Sequence, residues 1–351
     1  MSDPTYGPLD RVLHRLALQY ASIAELSFDL DQGMFRRDPA GITGRQHVFV
    51  TGLARAGTTV LMRRFHASGL YRSLTYRDMP FVLAPNFWRR VSAVSRKEIA
   101  SAERAHGDRV QVDADSPESL DEVFWRVFAG GEYIAADHLR PHQPSAEVVE
   151  RYVRYVNAIL AAQDGSCERY LCKNNNNILR LPVIHRAFPR AVVLIPFREP
   201  RAHAESLLRQ HRQFSIMQRE RPFTLDYMTW LGHHEFGMDH RPFRFHAQSE
   251  VSRHSVESLD YWLQLWCETY AWLEHAKGDT ALFVCYEDLC DQPATWTRLA
   301  ERAGIPAGVE RAGDAFSQSR RGSQMSADTG LVERATTLYG HLVASARAAL
   351  A

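Results

Sequence analysis

Apolar residues along this chain fall into two kinds of run. Short, nearly uninterrupted runs occur at His47-Val-Phe-Val-Thr51, Tyr170-Leu-Cys172, Ala191-Val-Val-Leu-Ile-Pro-Phe197 and Ala281-Leu-Phe-Val-Cys-Tyr286. Runs of this length without polar alternation suit strands buried on both faces. Between them, apolar positions recur at helical spacing over 148–162, 201–213 and 256–276. Strands alternating with helices predict an α/β fold, a parallel sheet flanked by helices. Ligands of such sheets bind at the carboxyl ends of the strands. Ahead of the first strand, Leu13, Leu16, Leu18, Ile23, Leu26 and Phe28 follow mixed helical spacing. Residues 1–40 therefore read as an N-terminal helical extension, broken by Gly41 and Gly44, and residues 41–351 as one domain. Within it, 214–255 is rich in Arg, His, Phe and Pro with little periodicity, and reads as a lid or substrate segment.

Composition narrows the class only a little. Of 351 residues, 45% are hydrophobic and 24% charged, as in ordinary globular enzymes, and the net charge is +1. So small a charge gives no overall attraction to nucleic acid or to an anionic membrane, and any basic site must be local. Asp10, Arg11, His14 and Arg15 interrupt the opening segment, unlike the apolar run of a signal peptide. No stretch approaches the roughly 20 apolar residues that span a bilayer. The five cysteines, Cys167, Cys172, Cys267, Cys285 and Cys290, are scattered and odd in number. Reduced thiols in a cytoplasmic protein are the expectation. Oligomeric state is not legible.

The first strand runs into Gly52-Leu-Ala-Arg55-Ala56-Gly57-Thr58-Thr59 and then the helix-ready Val60-Leu-Met62. A strand, a Gly-bounded turn and a helix start bring several backbone N–H groups to one point. The helix N-terminus adds partial positive charge there, so the point attracts phosphate. Arg55 can neutralise anionic oxygens, and the Thr58 and Thr59 hydroxyls can donate to them. The nucleotide-hydrolase form of the loop, Gly-x4-Gly-Lys-Ser/Thr, needs a lysine where Thr58 stands. That substitution counts against an ATPase or kinase.

Two more strand ends carry matching chemistry. Phe197-Arg198-Glu199-Pro200 closes one strand, and Ser206 follows Arg198 by eight residues. Pro200 can start a helix, which brings Arg198 and Ser206 to one side, where an arginine and a hydroxyl suit a phosphate monoester. The last strand ends in Tyr286-Glu287-Asp288-Leu289.

Gly52-x-x-Arg55-x-Gly57-Thr58-Thr59 resembles the 5′-phosphosulfate loop of sulfotransferases that use 3′-phosphoadenosine-5′-phosphosulfate (PAPS), in particular their bacterial and tyrosylprotein branches. Ala54 and Ala56 stand where the family more often has Pro and Ser, removing one hydroxyl contact. Arg198 and Ser206 resemble the family's 3′-phosphate motif, and Tyr286-Glu-Asp-Leu its adenine-side segment, where the resemblance places Tyr286 near the base. Arg320-Arg321-Gly322 resembles the Arg-Lys-Gly segment that closes over the 3′-phosphate, with Arg321 as its contact, although the glycine expected a few residues later is missing.

The resemblance implies in-line transfer of a sulfuryl group from PAPS to an acceptor hydroxyl, releasing PAP and needing no metal. Such transfer relies on positioning and charge stabilisation. Arg55 is the cation expected on the leaving phosphate. Lys173, in the strand-end segment Leu171-Cys-Lys173-Asn-Asn-Asn-Asn-Ile-Leu179, resembles the lysine that reaches the sulfuryl oxygens. Asp78, in Tyr76-Arg77-Asp78-Met79-Pro80, occupies the place of the family's base, though an unperturbed Asp, with a pKa of about 3.9, is a weak one. Glu118 and Glu122, one face of a predicted helix in 117–125, are alternatives, as are His66 and His138, because cytosolic members use a histidine. His233-His-Glu235 invites a metal reading, but Met238 stands where the zinc-protease pattern needs its second histidine. A carbohydrate, lipid or small-metabolite acceptor is preferred. A P-loop kinase or NTPase, or a catalytically silent nucleotide-binding protein, is the alternative.

Overall fold

The computed structural model describes residues 7–34, 40–92, 102–103, 111–112, 117–162, 167–279, 281–309, 314–317 and 325–351. Its strands are β1 (Val48–Val50), β2 (Tyr71–Arg72), β3 (Ala102–Glu103), β4 (Gln111–Val112), β5 (Arg169–Lys173), β6 (Val192–Phe197) and β7 (Ala281–Cys285). Five of them form one parallel sheet in the order β2-β5-β1-β6-β7, and β3 and β4 make a small antiparallel pair apart from it.

Alternate residues of each central strand enter different cores. Val48, Val50, Leu171, Val192, Leu194, Leu282 and Val284 pack on one side of the sheet, with Leu61, Met62 and Phe65 of helix Thr58–Ala67 and with Trp296 and Leu299 of helix Pro293–Arg302. Phe49, Cys172, Val193, Ile195, Phe197 and Phe283 join the larger core on the other side, under helices Ala146–Ala161, Pro200–Glu220, Leu259–Ala276 and Thr329–Leu350. Both faces are covered, which is why these strands read as unbroken apolar runs. The fold is the single α/β domain with a parallel sheet that the pattern predicted.

The N-terminal helices pack into the main core through Leu18, Ala24 and Phe28, and buried Asp31 accepts hydrogen bonds from Asn86 and from the Phe87 amide. The segment 214–255 is partly helical: helix Pro200–Glu220 extends into it, and Pro222–Leu231 forms another. The predicted helix in 117–125 begins only at Glu122, so Glu118 precedes it, its amide bonded to the Leu74 carbonyl. Among the described residues no helix is long and apolar enough to cross a membrane.

Candidate active site

Because the five strands are parallel, all their carboxyl ends open on one edge of the sheet. Strand β1 lies between β5 and β6, with Val50 in register with Lys173 on one side and Leu194 on the other. Phe197 pairs with Cys285, so Arg198 and Tyr286 leave adjacent strands at the same level. Lys173, the turn 52–57, Arg198 and Tyr286 are thereby brought to one edge.

The turn is held in a left-handed conformation at three points. Gly52, Arg55 and Gly57 have φ of 131°, 69° and 90°, and Arg55 is the one non-glycine residue with positive φ among those described. Gly57 caps helix Thr58–Ala67. A Cβ there would lie 2.3 Å from Cδ2 and Cε2 of Tyr286, so the tyrosine ring packs directly on the glycine. Gly57→Ala is expected to lower stability by about 1–3 kcal/mol, from strain at positive φ and the displaced ring. Urea denaturation checks it, and an unchanged midpoint would mean that the turn reshapes without cost.

Side chains from two other strand ends close on this turn. Arg198 donates from Nη1 to the Arg55 carbonyl at 3.2 Å, and its guanidinium lies 5.4 Å from the Tyr286 ring centre. Arg55 donates from Nε to Ser206 Oγ at 3.4 Å. The Nε of Arg198 is buried with no hydrogen-bond partner among the described residues. A buried donor without a partner is costly, and an anionic ligand would satisfy it. Tyr286, 6% exposed, also donates its hydroxyl to the Ser317 carbonyl. Its ring is taken up by Gly57 and Arg198, so it backs the turn instead of offering the open face expected for a base.

Lys173, 8% exposed, ends β5 beside a second cluster. Partly buried His233 faces the Ser119 carbonyl from Nε2 at 3.1 Å and the Glu235 carboxylate from Nδ1 at 3.5 Å. Both neighbours can only accept, so the arrangement favours the doubly protonated ring. Burial opposes that charge, but Glu235 and Glu118 outweigh burial and the repulsion of Lys173, raising the imidazole above its ordinary pKa. Burial likewise opposes ionisation of Glu235, yet His233 and Lys173 hold its carboxyl well below the usual range. Glu118 Oε2 accepts from the Tyr76 hydroxyl at 3.0 Å.

The asparagine run after Lys173 is a buried clip and not a solvated turn. Asn174 donates to Glu122, Asn175 to Glu235 at 2.9 Å and Asn176 to the Gly232 carbonyl at 3.2 Å. It ties the end of β5 to residues 232–235, whose only signal in the sequence was the polar triplet His233-His-Glu235.

The four other candidates for a base lie in other surroundings. Asp78 is buried, its carboxylate taking both oxygens' bonds from Arg72 at 2.8 Å and accepting from the Thr75 amide and hydroxyl. It caps its own turn. Glu122, wholly buried, is paired with Arg180 at 2.9 and 3.0 Å and also accepts from Tyr133 and Asn174. His66 sits eight residues along the helix from Thr58, about 12 Å away by helical rise. His138 pairs with Asp137 at 2.6 Å in a turn beyond helix Glu122–Tyr133. Arg321 lies outside the described residues.

A phosphate-type turn on the central strand is flanked by a half-buried arginine and a buried lysine from its two neighbours, an arrangement suited to an anionic group. A family profile described as "Sulfotransferase family" matches residues 47–308 of the chain, well over half of it. The chain belongs to the sulfotransferase family and is an enzyme of sulfuryl transfer; a P-loop kinase or NTPase is not favoured. No curated protein matches it in sequence. Sulfotransferase STF1 from Mycobacterium tuberculosis H37Rv is similar in structure at 15% identity, over 88% of this chain and 80% of that one, with a TM-score of 0.49. Sulfotransferase STF9 from Mycobacterium avium is similar at 16% identity, over 97% and 79%, with a TM-score of 0.47. A sulfotransferase from Alicyclobacillus acidocaldarius is similar at 16% identity, over 88% and 96%, with a TM-score of 0.41.

Proposed function

We propose that the sulfuryl donor is PAPS and that the acceptor is a hydroxyl of a carbohydrate, lipid or small metabolite. The observation that carries this reading is the buried Nε of Arg198, which has no hydrogen-bond partner among the described residues, beside Arg55, Ser206 and the turn amides, a set of donors suited to a nucleotide with two separated phosphate groups. The turn 52–59, with Ala56, Thr58 and Thr59, takes the 5′-phosphosulfate. Arg198 and Ser206 take the 3′-phosphate. Tyr286 keeps the turn in shape.

In the transfer, the acceptor oxygen attacks sulfur in line, the sulfur–oxygen bond to the 5′-phosphate breaks, and PAP departs. Arg55 offsets charge on the leaving phosphate, and Lys173 charge on the sulfuryl oxygens. The acceptor's proton goes to Glu118. This carboxylate is only half-buried, hydrogen-bonded to Tyr76, and belongs to the charged cluster at the end of β5. Asp78 would first have to give up Arg72.

Calorimetric titration with PAP, followed by an acceptor screen with radiolabelled PAPS, tests the reading. Absence of PAP binding to the wild-type protein sinks it. For the base, Glu118→Gln is expected to lower kcat by about 10²-fold or more with PAP affinity kept, as for loss of a general base. Asp78→Asn is expected to cost mainly stability. Normal turnover by the first variant and none by a folded second variant would return the role to Asp78.

A further inference from the structure

One titratable side chain against the phosphate turn has no part in the chemistry above. His203 lies in the first turn of helix Pro200–Glu220, three residues before Ser206, with no exposed surface. Its Nε2 is 2.8 Å from the Ala54 carbonyl, and its Nδ1 is buried without a partner among the described residues. A carbonyl can only accept, so Nε2 carries the proton and donates. Burial, with Arg198 and Arg55 nearby, pushes the imidazole down to about 3, against a smaller opposing pull from the Ala54 bond. The ring is neutral, and its tautomer is set by that one contact.

Ala54 immediately precedes the strained residue of the turn, and two successive carbonyls there are anchored. Ala54 O is held by His203, and Arg55 O by Arg198 Nη1 at 3.2 Å. In a trans peptide the C=O and the next N–H point in opposite directions. Carbonyls anchored on this side therefore turn the N–H groups of Arg55 and Ala56 the other way. They also bracket Arg55, whose left-handed φ of 69° a side chain disfavours and which persists only where neighbours over-determine it.

We propose that His203 is a positioning residue for sulfuryl transfer: its Nε2–H clamps the Ala54 carbonyl and so presets the phosphate-binding amides and Arg55. The nucleotide part of the test rests on the PAPS reading; the clamp itself does not. His203→Leu removes the donor. His203→Gln places an amide N–H where Nε2 was, and His203→Asn is one bond too short to reach.

Amide hydrogen exchange over 52–59 in the nucleotide-free protein should rise in the Leu and Asn variants and stay low in Gln. PAP affinity should fall about tenfold in Leu and Asn, the size of one net hydrogen bond. The KM for the donor should rise alike, the acceptor KM should hold, and Gln should restore both. If Leu does not fold, Asn against Gln gives the same comparison. Unchanged exchange in a folded Leu or Asn variant overturns the clamp, as does a Gln variant as impaired as Leu. A lower melting temperature with PAP affinity and donor KM intact leaves His203 a packing residue and also overturns it. Failure of the wild-type protein to bind PAP, with exchange rising in Leu and Asn but not in Gln, removes the PAPS reading and leaves the clamp standing.

Discussion

Lys173→Ala is expected to lower kcat by about 10²–10³-fold, the range found when one preorganised donor to a developing charge is removed, while PAP affinity changes little. The lysine is 8% exposed, in register with Val50 two residues before the turn 52–57, and lies within electrostatic reach of Glu235. A cation held in so little water acts on charge more strongly than one in solvent. It also needs no reorganisation as the sulfur–oxygen bond breaks. Lys173→Arg should not restore the rate, since a planar guanidinium does not fit the place of a compact ammonium in a buried site. Single-turnover measurements with radiolabelled PAPS and calorimetry with PAP separate the chemical step from binding. A rate within about threefold of wild type would take Lys173 out of the transfer step.

Glu122→Ala is expected to destabilise the fold by about 3–5 kcal/mol, the cost of leaving a buried charge uncompensated. Glu122 and Arg180 are both without exposed surface and joined by two hydrogen bonds, with Trp125 and Tyr133 rings 4.7 and 4.8 Å from the guanidinium carbon. The consequence reaches the active site, because Glu122 also receives Asn174, the residue after Lys173, and packs against Gly232 next to His233. Urea denaturation measures the loss. The folded fraction of the variant, counted by PAP titration, should keep near-normal kcat. A stable variant that binds PAP but transfers nothing would make Glu122 a participant in the chemistry instead of its foundation.

The parts of this protein legible in its sequence are those whose cause is local. Strands β1, β5, β6 and β7 were readable because burial on both faces writes an unbroken apolar run, whereas β2, at two residues, is too short to leave one. The turn 52–57 announced itself through Gly52 and Gly57, which take conformations that side chains disfavour. Arg198 and Ser206 were readable because a strand end and the first turns of a proline-started helix fix their separation.

Contacts across long stretches of chain left no comparable trace. His203 meets Ala54 across 149 residues, and His233 meets Ser119 across 114. Nothing near either histidine in sequence distinguishes it from one packed in any core. Asp78 shows the reverse case: its family place suggested a base, but Arg72, six residues earlier, takes both its oxygens.

By itself, then, the sequence determined the layered α/β architecture, the glycine-bounded turn after the first strand and the arginines beside it, because hydrophobic period and backbone preference act between near neighbours. Tertiary structure alone decided which carboxylates are tied to arginine, how the asparagine run carries Lys173 to residues 232–235, and which histidine grips the turn. Charge pairing and hydrogen bonding depend on distances of a few ångströms in space, and those distances exist only once the parallel strands have brought their ends to one edge.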